Sequence, residues 1–474
     1  MAGAAGPGAE MGKRILVSFV IAVVGIATAP INSAASTDVS CTTSLAVTTC
    51  TGHLGDPTKS ASFVLQVPAG WNGTLLLYSH GYVAPGSANP ARDAGDSATA
   101  AYLLGHGYAL AGSSYSATGW ALKEAFADQI STLDLFGSVF GAPTRTIAWG
   151  HSLGGIITAG LLQRNPDRFD AALPMCGVVS GGIGAWNEGL DAEFVIQQLL
   201  PGGSALQTAR ITNPGLNFFR AGQVIANAQT TAQGRARLAL AAAVSDAPGW
   251  FDPASPEPAA DDYAAQQQNQ FLWLSQVDAP FLFFLRAELE GRAGGNPSWN
   301  TGVNYDKQLG RSVDNAEVQA LYTAAGLDLN ADLAVLRDAP RVSADAAAVD
   351  YLNTYISFNG NLSGKPVLTI HTTGDGLVLP EEEQAYRSAV QRGQSAPLLR
   401  EAFVHRAGHC TFTPAETIAA LQALEARLNT GHWTDVTNPA NLNAAAAALG
   451  PLNIAPPAYI DFTPAQFLRP FDLA

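Results

Sequence analysis

The chain has 474 residues, 47% of them hydrophobic and 14% charged, and its formal net charge is −14. A single α/β domain rarely needs this length, so we expect either a core domain with a large insertion or two domains. The negative charge argues against nucleic acid as a partner, because binding to phosphates favours a basic surface. The sequence has no C-x-x-C, no H-E-x-x-H and no G-x-G-x-x-G after its first predicted strand, so it indicates neither a metal nor an organic cofactor. It leaves the oligomeric state open.

The N-terminus has the pattern of a secretory signal peptide. Lys13 and Arg14 precede an apolar run of about 13 residues, which is short for a membrane span, and small residues follow up to Ala35. We therefore predict a signal peptide at residues 1–35, a secreted protein, and no stable membrane span after cleavage. The alternative is an uncleaved anchor.

Four cysteines follow the predicted signal peptide. An even number of cysteines in an exported chain favours disulfides. Cys41 and Cys50 are expected to close a small N-terminal loop, which leaves Cys176 to pair with Cys410. The alternative is that these thiols are free and buried.

Residues 36–180 alternate apolar runs with helical patterns, which predicts the first part of an α/β core. The predicted strands are 62–68, 74–81, 108–116, 144–150 and 169–179. The predicted helices are 96–107, 119–141 and 153–166. Strands that alternate with helices favour right-handed crossovers and a doubly wound, mostly parallel sheet.

The α/β pattern is interrupted at residues 181–365, which we interpret as one mainly helical insertion, here called the cap. The second part of the core, 366–430, has a strand at 365–375, a helix after Pro380 and a strand with its loop at 398–410. A closing helix begins at a capping box formed by Thr413 and Glu416. Residues 431–474 look like a loop-rich C-terminal extension that the pattern does not place.

The pentapeptide Gly150-His151-Ser152-Leu153-Gly154 matches G-x-S-x-G between a predicted strand and a predicted helix. A tight strand-to-helix turn exposes the serine hydroxyl, and the two glycines relieve crowding in that turn. Ser152 is therefore the candidate nucleophile. The N–H of Leu153, at the start of the helix, is a candidate oxyanion donor. A second donor is expected from Gly81 or Tyr82, after the strand at 74–81.

The partners that a serine nucleophile needs follow in the order Ser, Asp, His. Asp375 lies between two glycines in a loop that leaves a strand, and His409 lies between the last strand and the last helix. His409 would take the serine proton, and Asp375 would orient its ring. Asp375 has Asp350 as a rival, and an Asx-turn role is the alternative. His409 has His405 as a rival, but His405 is at the end of an apolar strand. We expect His371 to be a core residue and His151 to pack below the turn.

The segments GHSLGG, SHGY, GDGLVLP and AGHCTF together resemble the α/β-hydrolase superfamily over residues 60–180 and 365–430. The chain closely resembles exported bacterial serine esterases and lipases with a large cap. The resemblance implies that Ser152 is the nucleophile, Asp375 the acid and His409 the base. There is also partial likeness to tannases and feruloyl esterases, which have a cysteine directly after the catalytic histidine, as Cys410 is here. Those enzymes have another cysteine directly before the serine, where this chain has His151. A Cys176–Cys410 bridge would then pin the histidine loop.

We therefore expect a secreted serine hydrolase that cleaves small-molecule or polymeric carboxylic esters through an acyl-enzyme. The cap would supply apolar walls to the site, or pack against the core, with Phe271, Trp273, Phe281, Phe283 and Phe284. One alternative is an exopeptidase or amidase with the same triad. In that case the free α-amine of the substrate would be held by Asp261, Asp262, Glu288 and Glu290. The other alternative is a non-catalytic binding protein with the same fold.

Overall fold

The computed structural model describes residues 38–471, so the predicted signal peptide at 1–35 lies outside the described residues. Within this range ten strands form a single sheet in the order β1-β2-β3-β5-β4-β6-β7-β8-β9-β10. The strands are β1 (Asp38–Ser44), β2 (Val47–His53), β3 (Ser62–Pro68), β4 (Thr74–Ser79), β5 (Ala109–Ser113), β6 (Arg145–His151), β7 (Ala171–Met175), β8 (Val367–Gly374), β9 (Leu399–Ala407) and β10 (Tyr459–Ile460).

Fifteen α-helices accompany the sheet in the described part of the chain. They are α1 (Ser97–Gly105), α2 (Leu122–Phe140), α3 (Leu153–Arg164), α4 (Gly181–Leu199), α5 (Pro214–Gln229), α6 (Ala232–Ala243), α7 (Tyr263–Leu272), α8 (Arg286–Ala293), α9 (Tyr305–Leu309), α10 (Asn315–Ala325), α11 (Leu329–Asp338), α12 (Ala346–Thr354), α13 (Glu381–Arg392), α14 (Pro414–Thr430) and α15 (Pro439–Ala447). The helices α4 to α12 all lie between β7 and β8. No helix among residues 38–471 is both long enough and apolar enough to cross a membrane.

The central strands, in the sheet order β5-β4-β6-β7-β8-β9, pair in parallel. Antiparallel pairs are added at the two edges by β1, β2, β3 and β10. Every residue of β4 is buried, as expected for a parallel strand whose two faces are both covered. The strand order, with β5 and β4 exchanged relative to the chain, is that of an α/β-hydrolase. The predicted fold class is therefore confirmed.

Two buried clusters cover the two faces of the sheet. Successive side chains of a strand point to opposite faces, so Leu75 and Leu77 of β4 join one cluster with α2, α3 and the cap helices. Leu76 and Tyr78 join the other cluster with α1 and α14. The cap thus shares one continuous core with one face of the sheet.

The predicted core elements are confirmed with small differences in their ends. The strand predicted at 62–68 coincides with β3, and Thr413 and Glu416 exchange both hydrogen bonds of a capping box at the start of α14. The N-terminal hairpin of β1 and β2 was not predicted. Its residues Cys41 and Cys50 face each other directly across the ladder and are joined by a disulfide.

The segment after residue 430, predicted as a loop-rich extension, also contains the short elements α15 and β10. Tyr459 is held by the Asn443 side chain, which accepts its N–H and donates to its carbonyl, both at 2.8 Å. The Tyr459 hydroxyl donates to the Glu416 carbonyl of α14 at 2.8 Å. These contacts place β10 beside β9. No local apolar pattern in the sequence predicts these contacts.

Candidate active site

Ser152 lies in a strained turn between β6 and α3. Its φ is 58° and its ψ is −123°, a left-handed conformation that is costly for a residue with a Cβ. Its N–H donates to the Met175 carbonyl at 3.0 Å, which ties the turn to the end of β7. Strain of this kind persists only where the surroundings impose it, and it concentrates at functional sites.

The glycines on both sides of Ser152 are required by close backbone contact. A Cβ added to Gly150 would lie 2.4 Å from the Ser79 carbonyl oxygen, and one added to Gly154 would lie 1.9 Å from the same atom. Any larger residue at either position would push the turn away from β4. The expected crowding at these two positions is present.

Gly81 faces Ser152 from the loop after β4. A Cβ added to Gly81 would lie 3.4 Å from the Ser152 Cβ and 3.9 Å from its Oγ. Within the described chain, the N–H groups of Gly81, Tyr82 and Leu153 donate to no acceptor. These groups are therefore available to an oxygen atom bound next to Ser152.

His80 anchors this loop. Its ring stacks on Tyr115 with centroids 4.0 Å apart, and its nitrogens lie 2.7 Å from the Gly81 carbonyl oxygen and 3.0 Å from that of Ser114. Burial lowers the pKa of His80, so the ring is favoured in its neutral form. His80 is thus a positioning residue for Gly81, a role that sequence reasoning did not give it.

Asp375 and His409 form a direct pair. The His409 Nδ1 lies 2.7 Å from Oδ2 of Asp375, whose side chain is fully buried. The other oxygen, Oδ1, accepts the N–H groups of Leu377 and Val378 at 3.0 and 3.1 Å. The Asx-turn role and the role as partner of His409 therefore coexist in one carboxylate.

A disulfide between Cys176 and Cys410 ties the histidine loop to the serine side of the site. Cys176 follows β7 directly, where the Met175 carbonyl accepts the N–H of Ser152. The Cys410 Sγ lies 3.3 Å from the His409 Nε2. Both predicted disulfides are confirmed. Cys176, Cys410 and His409 lie close together, but the two sulfurs are bonded to each other and so do not offer thiolate ligands to a metal.

The Ser152 Oγ and the His409 ring make no hydrogen bond with each other in the described part of the chain. In structures without substrate, catalytic hydrogen bonds are often long and tighten only when substrate binds. The structure therefore brings Asp375 and His409 into contact, and it brings Ser152 and Gly81 into contact. The second pair lies beside the end of β7, to which the disulfide joins the histidine loop.

His371 was expected to be a core residue, and it is buried, but it also forms part of a charged network. Its Nδ1 lies 3.0 Å from Glu383 Oε1, and its Nε2 lies 3.7 Å from Asp375 Oδ2. Burial opposes its protonation, but the hydrogen bond and charge of Glu383 and the charge of Asp375 raise the pKa of His371 to about 9. The protonated ring then stabilises the Asp375 carboxylate.

The rival residues lie elsewhere. His405 sits on the exposed side of β9, where it contacts the Trp250 ring with centroids 5.1 Å apart and lies 3.4 Å from Glu257. Asp350 is exposed on α12. Neither residue contacts Ser152 or His409 through any hydrogen bond of the described chain.

A cavity of about 100 Å³ opens beside Ser152, between the sheet end and the cap. Four aromatic side chains line it: Tyr82, Trp120, Trp186 and Phe281. Of the aromatic residues predicted to form its walls, Phe281 does so. Trp273 is buried and packs on Gly376, Phe283 is buried, Phe284 is exposed, and Phe271 packs partly buried against the core.

The same cavity is lined by three acidic residues that sequence reasoning missed: Glu188, Asp278 and Glu382. They come from α4, a π-helical segment of the cap and α13, so no local motif joins them. For Glu188 and Asp278 the available signal was an acidic residue within an apolar helical pattern, whereas Glu382 belongs to an acidic first turn that the start of α13 already explains.

The acidic residues proposed earlier for an α-amine do not line the cavity, so that assignment was wrong. Asp261 and Asp262 are exposed. Glu288 accepts the Trp120 N–H and pairs with Arg292, and the two oxygens of Glu290 accept backbone N–H groups of residues 210 and 211.

The sheet order, the strained serine turn and the paired Asp375 and His409 define an α/β-hydrolase. Residues 47–413 match a tannase-like family of unknown function (DUF6351), and the chain belongs to this family. It is 30% identical over 429 residues to an o-phthalyl amidase of Xanthobacter agilis, which covers 84% of this chain and 91% of that protein.

Solved structures with a similar fold include two proteins of Aspergillus oryzae. One is an esterase, 15% identical with a TM-score of 0.42 and a match over 81% of this chain and 80% of that chain. The other is feruloyl esterase B, 15% identical with a TM-score of 0.41 and a match over 82% of each chain. The esterase LipA of Xanthomonas oryzae is 12% identical with a TM-score of 0.35, over 81% of this chain and 88% of that chain.

Proposed function

We propose that the protein is a serine hydrolase that cleaves carboxylic esters and amides through an acyl-enzyme, with Ser152 as nucleophile, His409 as base and Asp375 as the residue that orients it. The observation that carries the proposal is the 2.7 Å distance between His409 Nδ1 and Asp375 Oδ2. The loop that contains His409 is also joined, through the Cys176–Cys410 disulfide, to the strand end beside Ser152. The predicted signal peptide and the two disulfides support secretion.

The His409 Nε2 accepts the Ser152 hydroxyl proton as Oγ attacks the substrate carbonyl. The N–H of Leu153 and that of Gly81 or Tyr82 then donate to the developing oxyanion, and each such donor stabilises the transition state by about 3 kcal/mol. The imidazolium transfers the proton to the leaving alcohol or amine. A water molecule activated by His409 hydrolyses the acyl-enzyme by the same steps in reverse order.

One observation favours including amides among the substrates. A relative that matches 84% of this chain is an o-phthalyl amidase. Cleavage of an amide requires protonation of the leaving amine, and the His409 imidazolium, held by Asp375 through Nδ1, would supply that proton.

The test compares hydrolysis of p-nitrophenyl esters and of matched p-nitroanilides by the mature protein and its Ser152→Ala variant. We expect the substitution to lower kcat by several orders of magnitude on both series. A fluorophosphonate probe should label the parent protein and the control variant Ser138→Ala, whose serine is exposed on α2, but not Ser152→Ala. Activity that survives in Ser152→Ala would refute the assignment of the nucleophile. Absence of both labelling and hydrolysis would favour the non-catalytic alternative.

A further inference from the structure

The cap contributes an unusual backbone segment to the cavity. Two π-helical stretches, Trp273–Asp278 and Phe281–Leu285, follow each other closely in the chain. Turns of this kind are rare and occur frequently at functional sites, because the extra residue redirects the side chains. A Cβ added to Gly376 would lie 2.3 Å from the Trp273 ring, so the first stretch packs directly on the residue after Asp375. Asp278 and Phe281 from this segment line the cavity.

The carboxyl groups of Glu188 and Asp278 lack protein partners. In the described chain neither carboxyl group takes part in a hydrogen bond or an ion pair, and both residues are half-buried where they line the cavity beside Ser152. Glu382 is the third acidic residue there, and one of its oxygens accepts the Ser180 N–H at 3.0 Å and the Ser180 hydroxyl at 2.8 Å. The described residues that line the cavity include no lysine, arginine or histidine.

Three buried acidic side chains elsewhere in the cap are compensated by an arginine. These pairs are Glu193 with Arg286 at 3.4 Å, Asp191 with Arg469 at 2.7 Å and Asp332 with Arg237 at 2.7 Å. Two others, Asp246 and Glu317, are buried without an arginine, and each keeps one oxygen without a hydrogen-bond partner. A carboxylate removed from water is costly unless a cation or several hydrogen bonds compensate it. The three arginine pairs show the compensation that Glu188 and Asp278 lack.

Two further polar groups at the cavity lack partners. Trp120 and Trp186 are each 6% exposed, their rings are 5.6 Å apart, and the indole N–H of each has no acceptor in the described chain. Buried indole N–H groups usually find an acceptor. An acceptor atom of a bound molecule would complete them, and the faces of these rings attract cations.

The electrostatics of the cavity agree with a missing positive charge. Burial, together with the negative charges of Asp246, Asp278 and Glu382, raises the pKa of Glu188 well above its usual range. Burial and the charge of Asp375 do the same for the pKa of Asp278. A cation placed between these groups would relieve their mutual repulsion and favour their ionised forms.

We propose that the cavity binds an organic ammonium group of the substrate, with Glu188 and Asp278 as its specificity-determining partners and the rings of Trp120 and Trp186 as its aromatic walls. This inference rests on the proposed hydrolysis at Ser152, because the ammonium group belongs to the ester or amide that is cleaved. It replaces Asp261, Asp262, Glu288 and Glu290 as the amine site of the amidase alternative.

The test compares cationic substrates with neutral analogues of the same shape. L-Alanine p-nitroanilide against isobutyryl p-nitroanilide places the charge on the acyl side. Acetylthiocholine against S-(3,3-dimethylbutyl) thioacetate places it on the leaving group. We expect kcat/KM for the cationic member of one pair to exceed that of the neutral member by about tenfold or more, the scale of one desolvated cation–π or charged hydrogen-bond contact. Ratios at or below one in both pairs would overturn the inference.

The variants Asp278→Asn and Glu188→Gln should bring that ratio toward one, because each removes a negative charge and keeps the side-chain shape. The control Asp261→Asn removes an exposed cap carboxylate and should keep the ratio. If the cavity variants retain the full ratio, these residues do not select the cation.

A binding measurement separates this inference from the proposed function and does not depend on the variants folding. Isothermal titration of the unaltered protein with benzyltrimethylammonium should show saturable binding, and neopentylbenzene, its neutral analogue, should bind more weakly. Equal binding, or no binding of the cation, overturns the cation site even if esters are hydrolysed. Binding of the cation without any hydrolysis that depends on Ser152 would instead overturn the proposed function alone.

Discussion

The bridge between Cys176 and Cys410 should contribute more to stability than the bridge between Cys41 and Cys50. The first joins residues 234 apart in sequence and the second joins residues 9 apart. The chain-entropy relation for a closed loop then gives about 5.5 kcal/mol for the first bridge and about 2.6 kcal/mol for the second. The double variants Cys176→Ala/Cys410→Ala and Cys41→Ala/Cys50→Ala are therefore a matched pair.

The two double variants should also differ in activity. Cys410 adjoins His409, and its partner follows the strand end to which the Ser152 turn is hydrogen-bonded, so loss of this bridge should lower kcat. Loss of the Cys41 bridge removes a link at the exposed edge of the sheet and should leave kcat unchanged.

Urea unfolding without reductant measures the first effect, and hydrolysis of a p-nitrophenyl ester measures the second. The reasoning is refuted if both variants lose the same free energy of unfolding. It is also refuted if Cys176→Ala/Cys410→Ala retains full kcat, since the bridge then does not position the histidine loop.

Two further predictions concern stability. Gly154→Ala would place a Cβ 1.9 Å from the Ser79 carbonyl oxygen and should lower the free energy of unfolding by about 1–3 kcal/mol. The control Gly137→Ala, which has no atom within 4 Å of the added Cβ, should not lower it. Equal urea midpoints for the two variants would contradict this prediction. Burial raises the pKa of Glu382 to about 8, so the folded protein holds a proton that the unfolded chain releases above its pKa of about 4.5. The free energy of unfolding should therefore fall as pH rises from about 4.5 to 8, by at most about 1.4 kcal/mol per pH unit for this group. Glu382→Gln should flatten that slope in urea titrations across this range, while the exposed-site control Asp338→Asn should not; an unchanged slope in Glu382→Gln would show that its carboxyl is not the source.

The serine turn could be predicted from sequence because all of its constraints are local. The turn requires a strand, two glycines and the start of a helix within a few residues. Each of these can be recognised in the sequence around Gly150 to Gly154. The central strands were predictable for a similar reason, since strands covered on both faces are continuous apolar runs. Asp375 and His409 required one more assumption, namely that the order of the three residues follows the order of the strands.

The cavity could not be predicted in this way because its residues are joined only by the fold. Glu188, Asp278 and Glu382 belong to segments separated by about a hundred residues each. Two of these acidic residues adjoin long apolar stretches, and those stretches alone are enough to predict the helices. A periodic pattern indicates which face of a helix is buried. It does not indicate whether a polar group on that face meets an arginine, as Glu193 does, or an empty cavity.

The edges of the sheet escaped prediction for a different reason. The pairing of β1 with β2 depends on Cys41 and Cys50 being opposite in register, and β10 depends on hydrogen bonds from Asn443. Edge strands bury little apolar surface, so their sequences lack the runs that mark the centre of a sheet. Their positions are determined by single covalent or polar contacts across the fold.

The likeness to tannases and feruloyl esterases is resolved by the register of the parallel sheet. Those enzymes place a cysteine directly before the serine, where this chain has His151. Because His151 of β6 pairs with Met175 of β7, residue 176 stands one strand away from that position and reaches the same histidine loop. His151, free of any bond to sulfur, lies 3.2 Å from the Tyr78 hydroxyl. Burial and the charge of His409 lower the pKa of His151 to about 4, so it adds no second proton donor beside Ser152. The disulfide that holds the histidine loop of this chain therefore starts from the strand next to the one that leads into Ser152.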